Sequence, residues 1–161
     1  YIADRDGPWD VIVIDAFFSD SIPAHLATRE FVELAKSRLT RGGAAVMNII
    51  GATDGEQSKL FRAIYRTYAE QFPTLFVHPV DDEPGPADDD QVRNIVLVAT
   101  DGPRPETPFL QQRWDELRDD HPTAPDLRQP IETRREAPVP TDDVPTLTDD
   151  YAPTDALLLV F

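Results

Sequence analysis

The chain has 161 residues, of which 40% are hydrophobic and none is cysteine, so it is long enough for one folded domain and has no disulfide or thiolate chemistry. Its 30 acidic residues outnumber 15 Lys and Arg residues, and the net charge of −15 argues against nucleic-acid binding, which requires a cationic surface. No apolar run reaches the roughly 20 residues of a membrane-spanning helix.

The choice of charged residue types is as uneven as the ratio of acidic to basic residues. The acidic residues are 21 Asp and 9 Glu, and the basic residues are 13 Arg and 2 Lys. This bias is typical of halophilic proteins, in which short carboxylates keep the surface hydrated while salt screens their repulsion. A GC-rich genome also favours Asp and Arg over Lys. Both interpretations assign most of this acidic protein's carboxylates to the solvent.

Strands and helices alternate over the first hundred residues. A helix is predicted from Thr28, as its N-cap, to Leu39, with Gly42-Gly43 as its stop signal. A second helix is predicted from Ser58 to Phe72, where apolar residues recur at helical spacing. The predicted strands, which are short apolar segments, are residues 11–14, 44–50, 75–80 and 94–100.

The order strand, helix, strand, helix, strand, strand predicts an α/β fold. The alternating part favours a mostly parallel sheet, and the last two strands favour a terminal antiparallel hairpin. The β-branched run VIVI at 11–14 is typical of a strand that is buried on both faces. An upstream segment or a second copy of the chain is then expected to cover its open edge, so a homo-oligomer is one expectation.

Two regions are distinguished by composition. Residues 1–100 contain nearly all the periodic apolar segments and form the expected catalytic-domain portion. Residues 101–161 form a Pro-rich acidic tail with one predicted helix, at 108–119. Residues 121–146 are expected to be extended or mobile, and the apolar terminal segment is expected to pack back on the domain.

Asp15 is the strongest candidate for a functional residue. It ends a buried parallel strand, and ligands of open α/β sheets bind outside the carboxyl ends of the strands. A carboxylate there either acts as a general base and orients an amine, or simply caps the following loop. Asp20 and Ser21 in that loop are weaker candidates. Asn48, a polar residue inside a strand, either is satisfied in the core or reaches the strand-end site.

The remaining polar groups point to no established chemistry. Asp149, Asp150 and Tyr151 place two carboxylates beside an aromatic ring, which by itself reads as acidic surface. The three histidines are dispersed, and we expect no metal site. The sequence has no nucleophile elbow, P-loop or dinucleotide fingerprint.

Two stretches, WDVIVIDAFFSDSIPAHLATREFVELAKSRLTRGGAAVMNII and LTDDYAPTDALL, resemble the spermidine synthase-like proteins. This family of polyamine aminopropyltransferases has the Rossmann-like, class I S-adenosylmethionine-dependent methyltransferase fold, and the similarity covers about residues 1–100 and 145–158. The resemblance implies a seven-stranded sheet of which this chain supplies the C-terminal portion, with its last four strands. The first three strands and most of the nucleotide site are then missing, so this fragment alone is expected to be inactive.

The resemblance implies a transferase of polyamine biosynthesis. An aminopropyl group would pass from decarboxylated S-adenosylmethionine, as co-substrate, to an amine such as putrescine, with no tightly bound cofactor and no metal. Asp15 matches the family's catalytic strand-end acid. The other residues placed at the site by this resemblance are Ala16 and Phe17 beside the co-substrate, and Asp20, Ser21, Asp149, Asp150 and Tyr151 beside the amine.

The loop after Asp15 departs from the family pattern, because it is longer and lacks the D-P and G-P steps. Two alternatives therefore stay open: a methyltransferase that uses S-adenosylmethionine on another acceptor, and a non-catalytic ligand-binding or assembly domain. The expected partners are a small-molecule amine and the missing N-terminal half of the domain, and no nucleic acid. We expect a cytoplasmic location, with membrane tethering through an upstream region as the alternative.

Overall fold

The structure is a computed structural model that describes Ile2, Asp4 and residues 7–16, 22–80, 90–135 and 137–157. This described part contains four strands and five α-helices, which alternate up to β3. The strands are β1 (Trp9–Ile14), β2 (Leu39–Gly51), β3 (Thr74–Pro79) and β4 (Arg93–Thr100). The helices are α1 (Arg29–Ser37), α2 (Lys59–Ala69), α3 (Thr107–Asp120), α4 (Arg128–Glu132) and α5 (Thr154–Leu157).

The four strands form one sheet in the order β1-β2-β4-β3. β1 is parallel to β2, whereas β4 is antiparallel to both β2 and β3. The predicted α/β class and the terminal hairpin are therefore confirmed. The expected parallel character holds only in part, because the hairpin returns β4 to the space between β2 and β3. β3 consequently runs in the same direction as β1 and β2 without pairing with either.

The two faces of the sheet are covered differently. On the first face, Ile12 and Ile14 of β1 join a buried cluster with residues of α1 and α2. On the second face, α3 and α4 lie over β3 and β4. Val11 and Val13 remain 55% and 66% exposed. The expectation that β1 is buried on both faces is thus wrong for the described residues, none of which covers this end of the second face.

The first predicted helix has the expected start and an earlier end. The hydroxyl of Thr28 accepts a hydrogen bond from the Phe31 amide at 3.4 Å, as expected of an N-cap. The helix stops at Ser37, since the next carbonyl, that of Arg38, accepts from the amide of Trp9 at 2.8 Å. Gly42-Gly43 therefore belong to β2, and the predicted stop signal is wrong. They lie where β2 bulges relative to β1.

The second helix is shorter than predicted. Ser58 occupies the N-cap position without capping the helix with its side chain. Its hydroxyl instead donates to the Gly55 carbonyl at 2.6 Å and accepts from Arg62 Nε at 2.8 Å. The helix ends at Ala69, and Phe72 packs into the core from the turn that follows.

The tail is folded over much of its length. The sequence predicts one helix in it, and the structure adds the short α4 and α5. The amide of Arg135 donates to the Val77 carbonyl at 2.8 Å, which forms an isolated bridge to β3. Val144 and Leu147 are buried in the main core. The expectation that residues 121–146 are extended or mobile is therefore wrong at α4, which is helical, and at Arg135 and Val144, which are held against the domain.

Two arginines and a threonine of α2 hold the segment 140–147, which we call the strap. Arg62 pairs with both carboxylate oxygens of Asp143, with Nη2 2.9 Å from Oδ2. Arg66 Nη1 donates to the strap's carbonyl oxygens at 2.8 and 3.0 Å. The hydroxyl of Thr67 accepts from the amide of Leu147 at 2.9 Å. Backbone groups of the strap that would otherwise be buried without partners are thereby satisfied.

We expect Leu147→Ala to destabilise the fold by about 3 kcal/mol, since it removes a fully buried side chain and leaves a cavity between the strap and α2. Thermal or urea unfolding measures this. The control is Leu127→Ala, at a position that is 41% exposed, which should cost less than about 1 kcal/mol. Equal losses in the two variants would show that the strap is not part of the core.

Asp143→Asn should show a pH-dependent loss of stability. Hydrogen bonds from Arg62 lower the pKa of Asp143. Its carboxylate therefore stabilises the fold above its unfolded pKa of about 3.9, and this contribution disappears as pH falls through the lower folded value. Unfolding midpoints of wild type and variant should differ at pH 7 and converge in acid. Asp142→Asn removes the same charge next to Asp143 and is the control; a constant offset for Asp143→Asn at every pH would contradict the prediction.

Candidate functional site

The register of β1 on β2 brings two polar side chains together. Ile14 is aligned with Met47 in the parallel pair, so the next residues, Asp15 and Asn48, are also neighbours. The Nδ2 atom of Asn48 donates to Oδ1 of Asp15 at 3.1 Å. Asp15 itself is exposed at the carboxyl end of β1. A solvent-accessible carboxylate is thus held at the position where ligands of open α/β sheets bind.

Asn48 has a second polar atom that the fold leaves unused. Its Oδ1 is buried, and it has no hydrogen-bond partner among the described residues. Buried polar atoms of this kind usually have a partner, which can be a ligand or a water molecule. The site therefore offers two acceptors, a carboxylate and an amide carbonyl, which suit a donor such as an ammonium group. Of the two readings of Asn48, this geometry favours the one in which it reaches the strand-end site.

The loop after β1 is described only in part. Ala16 follows Asp15 and is half-buried. Phe17, Asp20 and Ser21, which the family resemblance predicts beside the co-substrate and the amine, lie outside the described residues. The next described residue is Ile22, which is 3% exposed and packs in the main core.

Asp149, Asp150 and Tyr151 form a turn next to the start of α1. The amide of each of Thr148 and Tyr151 donates to the carbonyl of the other, both at 3.0 Å. The amide of Asp149 donates to Glu30 Oε2 at 3.0 Å. Asp149, Asp150 and Tyr151 are all exposed. Within the described residues, no hydrogen bond joins this turn to Asp15.

Glu30 also binds the backbone of the tail, a role that was not predicted from the sequence. An acidic side chain in the first turn of a helix such as α1 is favoured by the helix dipole, and this alone would explain Glu30. The structure shows that it also receives the backbone of Asp149. The neighbouring amide of Arg29 donates to the Leu147 carbonyl at 2.9 Å, so the end of the strap is fixed at the same helix start. A hydrogen bond between residues 119 positions apart leaves no local signal in the sequence.

Neither a metal cluster nor a membrane span is present in the part of the chain that the structure describes. There, no group of three or more His, Asp or Glu side chains is placed to hold a metal ion. The helices described are also too short or too polar to cross a bilayer.

Two of the three comparisons with known proteins found a similar protein, and their names point to the same kind of enzyme. No protein-family model matches the chain. A polyamine aminopropyltransferase of Vibrio vulnificus (strain CMCP6) is 30% identical over 109 residues, which are 68% of this chain and 32% of that protein. The crystal structure of a probable spermidine synthase from Corynebacterium glutamicum ATCC 13032 matches 70% of this chain and 41% of its own, with a TM-score of 0.54 and 22% identity.

The chain is spermidine synthase-like. Its match spans about a third of the curated relative's length, so the relative has a large part that this spermidine synthase-like chain does not align with. The structural match supports the class I methyltransferase-like fold. The resemblance read from the sequence is thereby confirmed.

We expect Asn48→Leu to stabilise this spermidine synthase-like fold by about 1 kcal/mol, because it keeps the branched shape and removes a buried carbonyl that has no partner among the described residues, whereas the lost hydrogen bond leaves Asp15 exposed to water. Thermal unfolding in the absence of ligand measures the change. Asn94→Leu, at an exposed position of β4, is the matched control and should alter stability little. A destabilised Asn48→Leu variant would show that the amide is needed by the fold itself.

Proposed function

We propose that the full-length protein of which this chain forms part transfers an aminopropyl group from decarboxylated S-adenosylmethionine to an amine such as putrescine. The single observation that carries this proposal is the Asp15–Asn48 pair, an exposed carboxylate held at a strand end beside a buried amide oxygen without a partner. The curated relative named polyamine aminopropyltransferase supports the same reaction class.

Asp15 and Asn48 would bind the attacking amine. An ammonium group has three donors and no acceptor, so it requires neighbouring acceptors when it leaves water. Asp15 supplies the negative charge and Asn48 Oδ1 supplies a neutral acceptor. The hydrogen bond from Asn48 Nδ2 fixes the Asp15 carboxylate, so that its free lone pairs face the amine.

The transfer itself would need one displacement and one proton acceptor. The bound ammonium group first loses a proton; the neutral nitrogen then attacks the carbon of the aminopropyl group that is bonded to sulfur, a C–N bond forms, and the C–S bond breaks. The electron pair of that bond returns to the positively charged sulfur, which leaves as neutral methylthioadenosine. Asp15 accepts the proton that the nitrogen loses and acts as the general base. This reaction requires neither a metal ion nor a redox cofactor.

The other predicted site residues enter the proposal around this pair. Asp20 and Ser21 would contact the amine from the loop, and Ala16 and Phe17 would lie with Asp15 beside the co-substrate. The turn Asp149–Tyr151 would close over the site from the tail. The two-part division at residue 100 and a missing N-terminal half that pairs with β1 belong to the same proposal.

Asp15→Asn in the full-length protein should lower kcat for aminopropyl transfer by about 100-fold or more, since it removes the proton acceptor and keeps the size of the side chain. The matched control is Asp10→Asn at the other end of the same strand, where the carboxylate accepts a hydrogen bond from Thr40 at 2.8 Å. Asp10→Asn should retain near wild-type turnover.

Product analysis distinguishes the proposal from its alternatives. Full-length protein is incubated with putrescine and either decarboxylated S-adenosylmethionine or S-adenosylmethionine. Release of methylthioadenosine that depends on Asp15 supports aminopropyl transfer. Release of S-adenosylhomocysteine would show a methyltransferase instead. Nucleotide binding without any product would show a non-catalytic domain.

A further inference from the structure

A second cavity lies on the second face of the sheet, away from the Asp15–Asn48 pair. It has a volume of about 350 Å³, is open to solvent, and lies between β3 and β4 on one side and α3 and α4 on the other. Phe76, His78 and Val98 form its floor, and Leu110 and Trp114 form part of its roof. The volume is within the range of pockets that hold small organic molecules, and the lining is mainly apolar and aromatic, as in such pockets.

Polar contacts hold α3 and α4, the roof of the cavity, in place. The indole Nε1 of Trp114 donates to Asp126 Oδ1 at 3.2 Å, and the His78 ring Nδ1 is 3.0 Å from the Pro130 carbonyl. Arg128 Nη2 on α4 donates to Asp115 Oδ1 on α3 at 2.8 Å. These contacts tie both helices to one another and α4 to the sheet. Such a fixed frame lowers the entropy that a ligand would lose on binding.

The charged side chain in the described lining of the cavity is a cation. Among the described residues that line it there is no Asp or Glu, whereas Arg113 and His78 are present. The guanidinium groups of Arg104 and Arg134 lie 5.2 and 5.6 Å from the ring centroid of Phe76. Burial is the largest effect on His78 and lowers its pKa, against the hydrogen bond to Pro130 and together with the charge of Arg134, so the ring is a neutral part of the lining at pH 7. The described lining thus presents one cation, Arg113, and no carboxylate, while the carboxylates of Glu116 and Asp126 lie behind it, paired with Arg113 and Trp114.

We propose that this cavity is a binding site for a compact aromatic anion, a molecule with an apolar ring system and one carboxylate or sulfonate group. The rings would occupy the apolar space over Phe76 and Val98. The anionic group would lie at the rim near Arg113, whose present ion pair with Glu116 is exposed and therefore weak. The site is independent of the proposed aminopropyl transfer, because neither Asp15 nor Asn48 lines it.

The test uses 1-anilinonaphthalene-8-sulfonate as the anionic probe and N-phenyl-1-naphthylamine as its neutral analogue. The chain has two tryptophans, and a Trp9→Phe background leaves Trp114, in the cavity wall, as the single donor for energy transfer to either probe. Saturable binding with one site per chain and with quenching of Trp114 is expected. The anionic probe should bind up to about fivefold more tightly than the neutral one, as expected for one ionic contact at an exposed arginine.

Three variants assign the binding to this cavity. Val98→Phe fills the floor and should weaken both probes at least tenfold, and Leu117→Phe at the rim provides a second filling variant if the first does not fold. Arg113→Gln should weaken only the anionic probe, to the level of the neutral one. Phe109→Ala is the matched control on the same helix, since Phe109 is 59% exposed and is absent from the described lining.

Each contrary result overturns a defined part of the proposal. Absence of saturable binding by folded protein, as judged by a cooperative thermal transition, would exclude the site. Binding that persists in both filling variants would place the probe elsewhere. Equal affinity for the two probes, or an unchanged anionic affinity in Arg113→Gln, would exclude an anion as the ligand class.

Discussion

The pairing of β1 with β2 in parallel register is the interaction on which the candidate site depends. Side chains alternate along a strand, so a shift of one residue would move Asp15 away from Asn48 and would also turn Ile12 and Ile14 out of the core. The same alignment therefore serves packing and chemistry. A slip in register would expose buried apolar side chains. Core packing therefore fixes the relative position of Asp15 and Asn48, and their hydrogen bond does not have to do so.

The strap extends this arrangement to residues far along the chain. Arg62 and Arg66 place two guanidinium groups on one side of α2, and planar groups with several donors can satisfy many oxygens at once. The strap in turn ends at the start of α1, close in sequence to the loop that follows Asp15. A Pro-rich segment without regular structure thus becomes part of the fold through side chains of a helix that precedes it by about 80 residues.

The elements that could be predicted from the sequence are those with strong local signals. The β-branched run of β1, the Thr28 cap and the acidic strand end at Asp15 all follow from patterns within a few residues. The helix ends were less well predicted, because Arg38 and Ser58 make their decisive hydrogen bonds with distant backbone or with an arginine side chain. The fold of the tail was missed for the same reason: its polar composition is typical of extended chain, and only the partners on α2 and β3 order it. The roles of Asp149, Asp150 and Tyr151 stay predictions.

The place of β4 has a consequence for how the molecule is made. β4, the last strand of the sheet in chain order, separates β2 from β3, and the paired positions of β2 and β4 are about 40 to 55 residues apart in the chain. While the chain is being synthesised, β3 has no partner until β4 emerges, and α2 has only part of its final surface to pack against. The sheet is therefore completed late, by one of its two interior strands. A chain that ends before residue 93 would leave two open strand edges, β2 and β3, and would be prone to associate through them.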